Sequence, residues 1–265
     1  MTPKQGGISG ASSVTKAQNI AYRVFRGLFN AYLFAVVLSM YAYTRDATGD
    51  IKWLLLNWAA LLIGGGWLAA MGWFRLPFRR PRLFLEILAL FVALLLASAL
   101  ASQHRWGALV ETGRFVSLFA LYFAATQLYA TPEEARKPLR ALCVAVGFAT
   151  LYAAAQAAGY DTFPWGDRGS DAYRHLPGPF GNPNYAAHVL VLAVIIVLYL
   201  LRSGWLWALP LLVGYGSWLV YTGQRGGLIA LAAALGVLAL AAVMKRLMPG
   251  RPGRAAAVSL ALAAL

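Results

Sequence analysis

The chain has 265 residues, of which 60% are hydrophobic and only 12% charged, with a formal net charge of +14. Soluble domains carry roughly a quarter charged residues, so this chain cannot cover a water-facing surface, and lipid must solvate most of its area. The basic balance does not point to nucleic acid, because Lys and Arg sit in short segments between apolar runs and form no stripe interleaved with aromatics.

In chain order, Met1 to Gln18 is polar and Gly/Ser-rich, with no apolar stretch before a small-residue cleavage site. No cleaved signal peptide is expected, and residues 1–21 read as a disordered cytoplasmic tail. A spanning helix needs about 20 apolar residues. Runs of adequate length fall near Tyr22–Tyr43, Trp53–Phe74, Leu83–Ala101, Arg114–Ala130, Leu139–Ala158, Tyr185–Leu201, Trp205–Tyr221 and Gly226–Met244. A further run begins at Ala255. The expected fold is therefore all-α, a polytopic transmembrane bundle over residues 22–265 with eight full spans and an incomplete ninth. Strands are not expected, because open sheet edges cannot be satisfied in lipid. The single cysteine, Cys143, lies inside an apolar run and reads as a packing residue. No CxxC pair offers a metal site.

With the N-terminus inside, 16 of the 23 Lys and Arg residues fall in cytoplasmic segments and seven in outer ones. The positive-inside rule favours that orientation. Trp53, Trp58, Trp73, Trp106, Tyr129, Trp205, Trp207 and Tyr221 lie near run ends, as interfacial belts require.

Two outer segments differ from the other, short loops. The first runs from Gly159 to Asn184 and carries Asp161, Asp167, Asp171, Arg168, Arg174 and His175. It then tightens into Pro177-Gly178-Pro179-Phe180-Gly181-Asn182-Pro183-Asn184, a run whose prolines and glycines prescribe one irregular backbone. Asn184 stands where the next helix is expected to start, at a favoured cap position. The second is Tyr221-Thr222-Gly223-Gln224-Arg225-Gly226-Gly227. Arg225 falls at the membrane boundary, where it serves either as a snorkelling anchor or as a cation for an anionic ligand. Its planar fork suits phosphate, and the next helix start adds N–H donors.

The segments Arg174-His-Leu-Pro-Gly-Pro-Phe-Gly-Asn-Pro-Asn-Tyr-Ala-Ala187 and Thr222-Gly-Gln-Arg-Gly-Gly227, about forty residues apart, resemble the paired motifs of the O-antigen ligase and O-antigen polymerase family of membrane glycosyltransferases. Gln224 stands where that family commonly has Ser, and the resemblance extends over roughly Leu83 to Met244. It implies a GT-C-like helical fold in a bacterial inner membrane. The implied chemistry is metal- and cofactor-independent transfer of a glycan from undecaprenyl diphosphate to an acceptor glycan or lipid A-core on the periplasmic face. Arg174 and Arg225 would bind the donor diphosphate, Gly178, Asn182 and Asn184 would shape the loop, and His175 is the local candidate for general base. The family's later periplasmic loop, with its own catalytic histidine, has no counterpart before Leu265. A transporter for a lipid-linked or anionic solute is the alternative reading, and a truncated, non-catalytic relative a further one.

Overall fold

The computed structural model describes residues 8–41, 48–79, 84–161, 163 and 177–247. All regular elements among them are helical, as backbone groups in an apolar solvent demand. The helices are α1 (Ile8–Leu38), α2 (Gly49–Ala59), α3 (Gly66–Phe74), α4 (Phe84–Ala101), α5 (Arg105–Leu128), α6 (Pro132–Ala157), α7 (Pro183–Arg202), α8 (Ala208–Tyr221) and α9 (Arg225–Leu247). A π-helical turn, Ala60–Gly65, joins α2 to α3, so Gly49–Phe74 is one continuous rod.

Among the described residues, six helices are long and apolar enough to cross a membrane: Lys16–Leu38, Gly49–Phe74, Arg105–Leu128, Pro132–Ala157, Pro183–Arg202 and Arg225–Met244. The other two expected spans form shorter apolar helices, Glu86–Ala101 and Ala208–Tyr221. The 14 residues of α8 reach about 21 Å at 1.5 Å per residue, against a hydrocarbon core of about 30 Å. The run from Ala255 lies outside the described residues. The backbone is helical from Ile8 onward.

The chain divides into two compact units, residues 1–142 and 143–265. In the first, α1 runs antiparallel to the Gly49–Phe74 rod. Gln18 donates to the Phe74 carbonyl at one end (3.0 Å), and Lys52 donates to the Ser39 carbonyl at the other (2.7 Å). The fully buried Trp67 centres this packing, with Tyr22 and Phe25 set edge-on against it. Helix α5 lies parallel to the rod. Its Ala120 approaches Gly64 so closely that a Cβ on that glycine would stand 3.0 Å from the alanine methyl.

Polar side chains close the end of this unit where α3 and α5 finish. Arg26 donates to the Leu128 carbonyl through Nε (2.8 Å) and Nη2 (2.6 Å) and pairs with Glu134. Its guanidinium also lies over the rings of Tyr22 and Tyr129. Tyr129, expected in an interfacial belt, is instead buried against Phe29. Burial pushes its phenol up to about 12, so it stays a neutral donor, to the Arg26 carbonyl and to Asn30 Oδ1. Thr131-Pro132-Glu133-Glu134 starts α6 as a capping box: the Glu134 N–H donates to Thr131 Oγ1, and the Glu134 carboxylate accepts from the Ala130 N–H.

In the second unit the later part of α6 is joined to α8 by a hydrogen bond from the Tyr215 hydroxyl to the Cys143 carbonyl. Cys143 is fully buried, as a packing residue should be. Helix α7 buries Leu190, Val197 and Leu200, and α8 and α9 both pack against it.

Candidate functional site: an anion-receptive end of the second unit

Both unusual loops finish at one end of the second unit. Helix α6 stops there with Gly159 left-handed (φ 81) and the Tyr160 N–H returning to the Ala155 carbonyl, 2.9 Å away. Asp161 follows at once. Its carboxylate accepts from the Tyr152 hydroxyl (2.7 Å), the Gln156 side-chain amide (2.7 Å) and the Phe163 N–H (3.1 Å). Gln156, itself buried, uses its carbonyl to accept from the Gly178 N–H at 3.0 Å. The carboxylate thus fixes the amide, and the amide fixes the loop.

The loop is packed as tightly as a core. Pro177, Gly178, Pro179 and Phe180 are all buried, and Gly178–Phe180 forms a single 3₁₀ turn. Phe180 stacks on Trp218 of α8 with 5.9 Å between ring centroids and 24° between planes. Gly178 has φ 56, and a Cβ there would be driven into the Trp218 indole. Two separate constraints therefore demand glycine at that position.

Asn182 caps α7, with Oδ1 accepting from the Asn184 N–H at 2.8 Å and Pro183 in the first turn. The sequence reading placed the cap at Asn184, and the structure corrects this. Proline prefers the first helical position because its missing N–H is not needed there, which moves the cap one residue ahead of Pro183.

The second loop is equally short of slack. Thr222 is fully buried and donates to the Leu219 carbonyl (2.6 Å), and Gly223 takes φ 66. Arg225 then opens α9 with an exposed side chain. A Cβ on Gly227 would meet the Ala187 Cβ at 2.8 Å and Leu219 Cδ1 at 3.1 Å. This close approach of two small residues holds the first turn of α9 against the first turns of α7. Arg225 lies two residues before that contact and Asn184 three residues before it.

Of the residues singled out from sequence, Gly178, Asn182, Asn184 and Arg225 thus share one end of one unit. Arg174 and His175 lie outside the described residues. Tyr152, Gln156 and Trp218, which hold the loop together with Asp161, were not among the residues singled out from sequence. Asp161 was visible only as one of three loop acids, and Gln156 lay unremarked within an apolar run.

The arrangement suits an anion. Two helix starts stand side by side, each carrying a partial positive charge, and a guanidinium projects from one of them. Among the described residues no three His, Cys, Asp or Glu side chains gather as metal ligands. Below this end, an apolar cleft of about 330 Å³ opens between α6 and α8, lined by Gly147, Thr150, Leu151, Leu211, Gly214 and Tyr215. Comparison with family models, curated proteins and solved structures finds no match to this chain.

Proposed function

We propose that the chain is a membrane glycosyltransferase of the O-antigen ligase or polymerase type, which takes a glycan from undecaprenyl diphosphate at the end where α7 and α9 begin. The observation that carries this reading is the close packing of Gly227 on Ala187, where a Cβ on the glycine would stand 2.8 Å from the alanine Cβ. It makes one receptive end from two motifs that lie about forty residues apart in sequence. Arg225 binds the diphosphate by bidentate hydrogen bonds and stabilises it as leaving group. Arg174, from the adjoining loop, is the second cation. Asn182, Asn184 and Gly178 keep the loop in shape, and His175 is the local base for the acceptor hydroxyl. The cleft between α6 and α8 suits the first isoprene units of the donor.

In this reading the protein sits in a bacterial inner membrane with its N-terminus in the cytoplasm. Its fold is GT-C-like with eight spans, α4 and α8 crossing as well. For α8 the support is geometric: Gly227 lies beside Ala187, so the chain between Arg202 and Arg225 retraces most of α7. The basic residues Arg26, Arg75, Arg79 and Arg136 lie at the end of the first unit where α3 and α5 finish and α6 starts, which supports the orientation.

The test is glycan transfer in membranes. Arg225→Ala should lower transfer at least about 100-fold at unchanged protein level. Arg225→Lys should restore only part, because a point charge does not reproduce the fork. Undiminished transfer by Arg225→Ala overturns the assignment.

A further inference from the structure

In the first unit, at the end where the Gly49–Phe74 rod and α5 begin, polar side chains descend in two layers. In the upper layer Arg114 lies over the Trp53 ring, 4.4 Å from its centroid, and pairs with Glu111. One helical turn further along, the Ser117 hydroxyl donates to Asn57 Oδ1 at 2.9 Å. Asn57 is exposed and sits between exposed Leu54 and Leu61 on the same stripe. With its carbonyl engaged by Ser117, the carboxamide keeps two N–H donors that make no hydrogen bond among the described residues.

Those donors are out of place against lipid tails, which offer no acceptor. A packed helix offers few, because its own backbone carbonyls are already used. A hydroxyl-rich headgroup reaching one turn below the Trp53 layer offers several. The charge in the notch is balanced, since Glu111 neutralises Arg114. Phosphate is therefore not the favoured ligand, and a neutral polyol is.

We propose that the notch formed by Trp53, Asn57, Glu111, Arg114 and Ser117 binds the neutral sugar headgroup of a membrane glycolipid. This site lies wholly in residues 1–142 and does not depend on the assignment of Arg225.

The full-length chain in phosphatidylcholine nanodiscs, doped equally with monoglucosyl-diacylglycerol and phosphatidylglycerol, provides the test. Native mass spectrometry counts the lipid retained on release. The wild type should keep the glucolipid at least about fivefold over phosphatidylglycerol. Asn57→Leu and Ser117→Ala should bring it to background, while Asn57→Gln, which keeps the donors, should retain part of the enrichment. Both positions are partly or fully exposed, and circular dichroism should confirm that the variants stay helical. No enrichment in the wild type, or equal enrichment in Asn57→Leu, overturns the proposal. Preference for phosphatidylglycerol overturns the neutral-headgroup assignment. A wild-type dimer lost in Asn57→Leu shows instead that a second copy covers this face, and that also overturns it.

Discussion

Arg26 and Arg225 put the same side chain to opposite uses. Arg26, in the first unit, is engaged on every side: two hydrogen bonds to the Leu128 carbonyl, an ion pair with Glu134, and the rings of Tyr22 and Tyr129. Its charge is already balanced, and its role is to tie α1 to the α5–α6 corner. Arg225, in the second unit, opens a helix with its side chain exposed and no carboxylate paired to it among the described residues. A cation engaged by its own protein stabilises the fold, whereas one left at a helix start beside a second helix start is available to a ligand.

This contrast can be broken from either side. The largest expected effect on stability is at Gly178, where alanine must adopt a left-handed backbone and displace the Trp218 indole. Gly178→Ala should cost about 2–4 kcal/mol, read as a lowered midpoint of thermal unfolding in detergent, with donor binding lost as the loop shifts. Arg26→Ala should cost about 2 kcal/mol and leave donor binding intact once the protein is folded. That is the reverse of Arg225→Ala, which should leave the unfolding midpoint in place. If Arg26→Ala abolished binding in folded protein, the division of roles would fail. Asn182→Ala should have a smaller effect, about 1 kcal/mol for a lost cap. Asn184→Ala should be milder still, since its backbone N–H, not its side chain, makes the capping bond.

Much of the helical layout was legible in the sequence, because apolar runs bounded by basic and aromatic residues leave the backbone one solution in lipid. The lengths of α4 and α8 were less legible, since composition does not fix where the last hydrogen bond closes. The π-helical turn at Ala60–Gly65 carried only a weak signal in Gly64-Gly65-Gly66. The capping box at Thr131-Pro132-Glu133-Glu134 is legible from its spacing alone. At the candidate site, sequence identified the two loops by their punctuation. Their proximity depends on the Ala187 methyl packing where Gly227 has no side chain, which no local pattern announces. The brace through Asp161, Gln156 and Gly178 joins positions 22 residues apart at its longest link, a separation at which sequence gives no pairing signal.

The most direct test is equilibrium binding of undecaprenyl diphosphate, compared with undecaprenyl monophosphate, to the full-length chain in nanodiscs. The wild type should bind the diphosphate at least about tenfold more tightly, worth about 1.4 kcal/mol. Arg26→Ala should keep that preference and Arg225→Ala should lose it. Equal affinity of the wild type for the two lipids, or an undiminished preference in Arg225→Ala, would contradict a diphosphate site at the start of α9.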